Sequence, residues 1–137
     1  MEKARRDAGL TDPAIEVIRE VNEAIAKSDL RILAAHLHPD VVWEHNIGTG
    51  SLEEGVYTGR ESVMQLFERI VEPWEYLRVE PRSIDRLDDG RYHVVGDLRA
   101  KHRTSDTEIL ASYSQHLDFR DEMLVKGDMK TGEMSFS

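Results

Sequence analysis

A chain of 137 residues has the length of one domain built on a single core. Its 39% hydrophobic content excludes a disordered chain, no apolar run approaches the roughly 20 residues that cross a bilayer, and the lack of cysteine excludes disulfides and thiolate chemistry. The net charge of -9, with Lys and Arg scattered singly among acids, leaves no concentrated basic surface for a nucleic acid.

In chain order, residues 1–12 read as a flexible polar lead-in, with basic residues but no apolar stretch behind them, so not a secretory signal. With no cysteine to protect, a cytoplasmic location is expected. Asp12-Pro13 predicts a helix start, an N-cap acceptor followed by a residue whose missing N–H costs nothing there. Ala14, Val17, Ile18, Val21, Ala24 and Ile25 then recur at helical spacing. Ser28-Asp29 predicts the cap of a short second helix, Leu30 to about Leu37, which Pro39 stops. Asp40 to His45 is β-rich, with Val41, Trp43 and His45 on one face. Residues 46–55 hold three glycines and read as a loop or irregular hairpin whose role at the pocket stays open.

Thr58-Gly59-Arg60-Glu61 has capping-box spacing and predicts a third helix, with Val63, Leu66, Phe67, Ile70 and Val71 inward, stopping before Pro73. Glu75 to Leu87 reads as a long strand with Pro81 at a bulge or edge, followed by a turn at Asp88-Asp89-Gly90. Arg91 to Arg103, Thr107 to Phe119 and Met123 to Lys130 are three further strands. Residues 131–137 read as a short polar tail, leaving 13–130 as the single domain. The order α-α-β-α followed by four strands is an α+β fold.

The words "SDLRILAAHLHPDVVWEH", "EEGVYTGRESVMQLFERI", "EPWEYLRVEP" and "SQHLDFRDEMLVKGDM" give the chain its resemblance to the SnoaL-like branch of the nuclear-transport-factor-2 superfamily. The resemblance implies a cone-shaped barrel, a curved antiparallel sheet wrapped around three helices, with a pocket for a small apolar molecule. It also implies a homodimer through the convex sheet face. The superfamily includes ketosteroid isomerases, polyketide cyclases, dehydratases, epoxide hydrolases and members that only bind or scaffold, so fold alone selects no reaction.

Laid on the ketosteroid isomerase pattern, His45 takes the position of the catalytic carboxylate base, Val21 that of the oxyanion tyrosine, and Gln115 that of the protonated aspartic acid. A histidine is a base near neutral pH and an amide is a hydrogen-bond donor, so His45 and Gln115 are the expected catalytic pair. His45 reads equally as a structural histidine satisfying a carbonyl at the pocket mouth. The resemblance makes Asp128 a further acid/base, where polyketide cyclases carry an aspartate; its other reading is a solvated strand acid. Trp43, Tyr57, Phe67, Trp74 and Tyr113 are the expected ligand-contacting walls, with plain core packing as the other reading, favoured for Phe67. Asp97 and Arg99, two apart on one strand, are a reserve set for an epoxide hydrolase together with Asp128, or a surface ion pair.

The six histidines lack metal-ligand spacing, and no nucleotide or nucleophile motif is present, so no metal or cofactor is expected. Two function classes stay open: a cofactor-independent isomerase, cyclase or dehydratase moving a proton on an apolar carbonyl metabolite, and a non-catalytic ligand-binding or dimeric scaffold domain. The epoxide hydrolase is a third.

Overall fold

The computed structural model describes residues 12–46 and 54–136. The lead-in expected before Asp12, and most of the loop expected at 46–55, lie outside the described residues. Helix α1 spans Pro13–Ala26, α2 Arg31–Ala35 and α3 Arg60–Val71. Strands β1 (Leu37–Asn46), β2 (Gly55–Thr58), β3 (Trp74–Arg86), β4 (Tyr92–His102), β5 (Glu108–Arg120) and β6 (Met123–Phe136) form one curved, unclosed sheet in the order β2-β1-β6-β5-β4-β3. The helices cover its concave face, giving the expected α+β, cone-like architecture. No helix among the described residues is long and apolar enough to cross a membrane.

Helix α1 begins as its sequence dictates. The Asp12 carboxylate accepts from the Ala14 N–H at 2.9 Å, and Val17, Ile18, Ala24 and Ile25 turn inward. The other oxygen of Asp12 accepts a 2.6 Å hydrogen bond from the Tyr92 hydroxyl on β4. One carboxylate thus caps the helix and ties it to the sheet it covers.

Four local expectations change. The second helix ends at Ala35, and Leu37 already belongs to β1, because the Leu124 N–H reaches back to the His36 carbonyl at 2.7 Å and draws that segment into the sheet. Its N-cap is Leu30, without a side-chain cap; Asp29 instead binds the Arg31 N–H and guanidinium. Thr58 does not cap α3: it is held in β2 opposite Val42, and Gly59, with a positive φ of 93°, makes the turn into the helix. The last strand continues to Phe136 instead of stopping at Lys130, since its later residues pair with β5 from Tyr113 back to Ile109.

The β1–β6 pairing is parallel while all its neighbours are antiparallel, so the sheet is mixed. Register shifts at Pro81/Ser83, Ala111/Tyr113 and Asp118/Phe119 bend it. Pro81 sits on the edge strand at one of these bulges, where its missing N–H breaks no ladder bond. Asp121 and Glu122, both with positive φ, make the tight turn between β5 and β6.

Replacing Asp12 by alanine removes the α1 cap and the acceptor of a buried phenol together. We expect a loss of about 1–2 kcal/mol in urea unfolding. Burial, then the bond to Asp12, raises the Tyr92 phenol to about 12. A raised acid stabilises the fold fully below its ordinary value of about 10, and that stabilisation fades as pH rises toward 12. Difference titration of phenolate absorbance between the wild type and Y92F checks this; a Tyr92 phenolate forming at the ordinary value refutes it.

Candidate functional site

Under α1, the concave face of the sheet leaves a cavity of about 60 Å³. Its walls are almost wholly apolar. Val17, Ile18, Val21 and Ile25 descend from α1, Leu33 from α2 and Phe67 from α3, while Leu37, Trp43, Leu117, Phe119 and Leu124 rise from the strands. Three polar residues join them: Asn22, His36 and Gln115. A pocket for a drug-sized ligand measures roughly 300–1,000 Å³. The cavity as it stands therefore takes only a few heavy atoms, and a larger occupant must displace wall side chains.

Trp43 organises this region. It is opposite Gly127 in the β1–β6 ladder, and its indole lies over that glycine, so a Cβ there would stand 2.7 Å from the ring. The ring meets Phe67 edge-on at 5.4 Å, and its N–H donates to His45 Nδ1 at 3.3 Å. His45 is only 2% exposed. The ladders put His45 opposite Met129 and Val94 opposite Gln115, and the β5–β6 register carries that row across Met129. His45 and Gln115 thus occupy one row of the concave face, two strands apart, or about 10 Å along the hydrogen-bonding direction.

Of the expected site residues, Trp43, Phe67 and Gln115 line the cavity. His45 shares their face but stands behind Trp43. Tyr113 is one row further on, 2% exposed, packed against Gly96. Its hydroxyl has no hydrogen-bond partner among the described residues, and burial, then the nearby Asp97 charge, pushes the phenol well above its ordinary range. Tyr57 is opposite Trp43 on β2, with Arg69 over its ring, and Trp74 packs edge-on to His102 at the start of β3. Neither lines the cavity.

Asp128 is not brought to the pocket. Its carboxylate accepts from the His116 backbone N–H at 2.8 Å and lies 3.4 Å from the same ring, on the convex face. The cause is one extra residue in β6 beside the Asp118/Phe119 shift: inward positions run Leu124, then Gly127 and Met129, so Asp128 turns outward. Asp97 and Arg99 are on the convex face too. Asp97 pairs with Arg82 at 3.0 Å, not with Arg99.

Asn22 and His36 complete the cavity unforeseen. Asn22 follows Ile18 by four residues on the inner stripe of α1, so a polar residue at an apolar position was the available signal. Its amide nitrogen is buried without a hydrogen-bond partner among the described residues. His36, in the corner after α2, is within 3.2 Å of the Glu122 carbonyl and 3.5 Å of Glu20, placing an imidazole at the cavity wall. Among the described residues no group of three His, Asp or Glu side chains is placed to hold a metal ion.

Residues 18–127 match the model of the SnoaL-like domain. No curated protein sequence matches the chain. Solved structures repeat the fold: an NTF2-like protein of unknown function from Burkholderia pseudomallei is 19% identical, with 89% of this chain and 92% of that one covered and a TM-score of 0.73. TerC, co-crystallised with polyporic acid, is 20% identical over 88% of this chain and 92% of its own, with a TM-score of 0.75. An LEH-like epoxide hydrolase from M. tuberculosis is 14% identical, covering 88% and 83%, at 0.70. At these identities the likeness is one of fold.

The Trp43–Gly127 contact is testable directly. Gly127→Ala is expected to cost about 1–3 kcal/mol in thermal or urea unfolding by driving the indole off its seat. Tryptophan emission should shift as well, and an unchanged spectrum with unchanged stability would show that the ring has other room.

Proposed function

This chain belongs to the SnoaL-like domain family, and we propose that it is a small-molecule pocket protein whose ligand is compact, largely apolar and carries a carbonyl-type oxygen. One observation carries the reading: an apolar cavity closed by α1 over the concave face, with the buried Gln115 amide as the polar group on its sheet wall. Apolar walls with few polar groups suit a ligand that is mostly hydrocarbon and oriented at a single point.

A second reading, proton transfer on that ligand, is favoured by the row that His45 shares with Gln115. An imidazole on one side and an amide donor on the other are the two groups that abstracting a proton next to a carbonyl requires. Trp43 stands between His45 and the present cavity, so this chemistry needs the indole to move. Asp97, Arg99 and Asp128 all face away from the cavity, which weighs against an epoxide hydrolase built on them. A second copy against the convex face is retained as part of the proposal, supported by Leu110, an exposed apolar side chain there.

The test is a titration of the W74F variant, in which Trp43 is the one remaining tryptophan, with cyclohexanone and with its hydrocarbon isostere methylenecyclohexane. Saturable quenching by the ketone is expected, weakened about five- to tenfold for the isostere and for the ketone against an added Gln115→Leu substitution. Absence of quenching by either compound would sink the pocket reading. For the catalytic reading, bound cyclohexanone in heavy water should exchange its hydrogens next to the carbonyl faster than in buffer. Substituting His45 by alanine should abolish that acceleration, and an unaltered rate would leave binding as the function.

A further inference from the structure

Two buried polar atoms that neither the Gln115 contact nor the proton transfer uses have no partner among the described residues: the Asn22 amide nitrogen and the Tyr113 hydroxyl. An orphaned buried donor is costly and rare in a native fold. These two come from different elements, and both lead to the same stretch of backbone. Asn22 lines the cavity on one side and, on the other, the groove that α1 makes with Val79, Glu80 and Pro81 of β3. Tyr113 is opposite Gly96, which is opposite Pro81. A Cβ on Gly96 would stand 2.8 Å from the Tyr113 hydroxyl and 2.8 Å from the Pro81 Cα, and would collide with the Glu80 carbonyl. The phenol therefore uses the space that a bare glycine leaves beneath the Pro81 bulge.

Resting on the pocket reading above, we propose that Asn22 and Tyr113 form a second hydrogen-bonding subsite, distinct from Gln115, which receives a second acceptor oxygen of the ligand. The Asn22 amide nitrogen donates and the Tyr113 phenol can donate, and neither meets an acceptor among the described residues. Tyr113 and Gln115 are two apart on one face of β5, so their Cα atoms are about 7 Å apart. The ligand class that follows is a compact dicarbonyl or hydroxy-carbonyl compound: an apolar body with an oxygen at each end, one for Gln115 and one for the Asn22–Tyr113 pair. A ligand with one oxygen leaves the second subsite as it is now, buried and unsatisfied.

The experiment compares cyclohexanone with 1,4-cyclohexanedione by Trp43 quenching in the W74F background, and in the same protein carrying Tyr113→Phe or Asn22→Leu. The parent is expected to prefer the dione about five- to tenfold. Y113F and N22L should each abolish that preference, and the unliganded Y113F protein should be at least as stable as its parent, since it loses an orphaned hydroxyl. No preference in the parent, or a preference that survives both substitutions, overturns the subsite while leaving the pocket intact. A Y113F protein that unfolds at lower temperature and keeps the preference makes the hydroxyl structural, and overturns it as well. Failure of both ketones to bind overturns the pocket reading itself, and the subsite with it.

Discussion

The seat of Trp43 on Gly127 is the constraint on which the rest of the molecule depends. β1 and β6 are far apart in sequence, and their parallel pairing is not imposed by a hairpin. What fixes it on the concave face is a large flat ring against a residue with no side chain. From that seat the indole supports Phe67 and therefore α3, supplies one wall of the cavity, and holds the His45 ring through its N–H. A slip of one residue in this ladder would put Lys126 or Asp128 under the ring and turn His45 to solvent. Core packing and site geometry are therefore one arrangement here.

Helix α1 is the other half of the enclosure, and its attachment is chemical as well as hydrophobic. Its apolar stripe gives adhesion without direction, since burial of apolar surface is indifferent to small sliding movements. Asp12 gives direction: one oxygen on the helix N-terminus and the other on Tyr92 set the start of α1 over β4. Toward its other end the helix packs over the β3 bulge, burying Ala24 and Ile25, and there the Asn22 amide nitrogen has no hydrogen-bond partner among the described residues.

The sequence made the elements and much of the concave face legible, through period alone. Val41, Trp43 and His45 on β1, and Tyr113 and Gln115 on β5, are inward as alternation demands. Illegible features came from interactions between segments distant in the chain. Thr58 and Glu61 satisfy a capping pattern, yet pairing with β1 claims Thr58 first. Leu37 continues a helical stripe, but β6 captures it. The outward turn of Asp128 is illegible for a subtler reason. Nothing in Leu124-Val125-Lys126-Gly127 marks an added residue, and a bulge changes which parity faces inward for everything after it. Asn22 is hard to read because one amide among the apolar members of the α1 inner stripe carries no periodic signal of its own.

The cavity's smallness and the donors left without a partner among the described residues, Asn22 on its wall and Tyr113 one row beyond it, are one physical problem. An empty apolar space and an unsatisfied buried amide or hydroxyl each reduce stability, and a fold selected for stability alone would fill the first and replace the second by leucine or phenylalanine. Keeping both is intelligible when an occupant supplies the missing atoms: its hydrocarbon body restores packing, and its oxygens end the isolation of the donors. The destabilisation carried by the empty protein then becomes a difference in free energy between empty and filled states, which is the quantity that determines affinity. On this view Gly96 and Gly127 share a purpose. Each lowers the floor of the sheet under an aromatic ring, Gly96 beneath Tyr113 and Gly127 beneath Trp43.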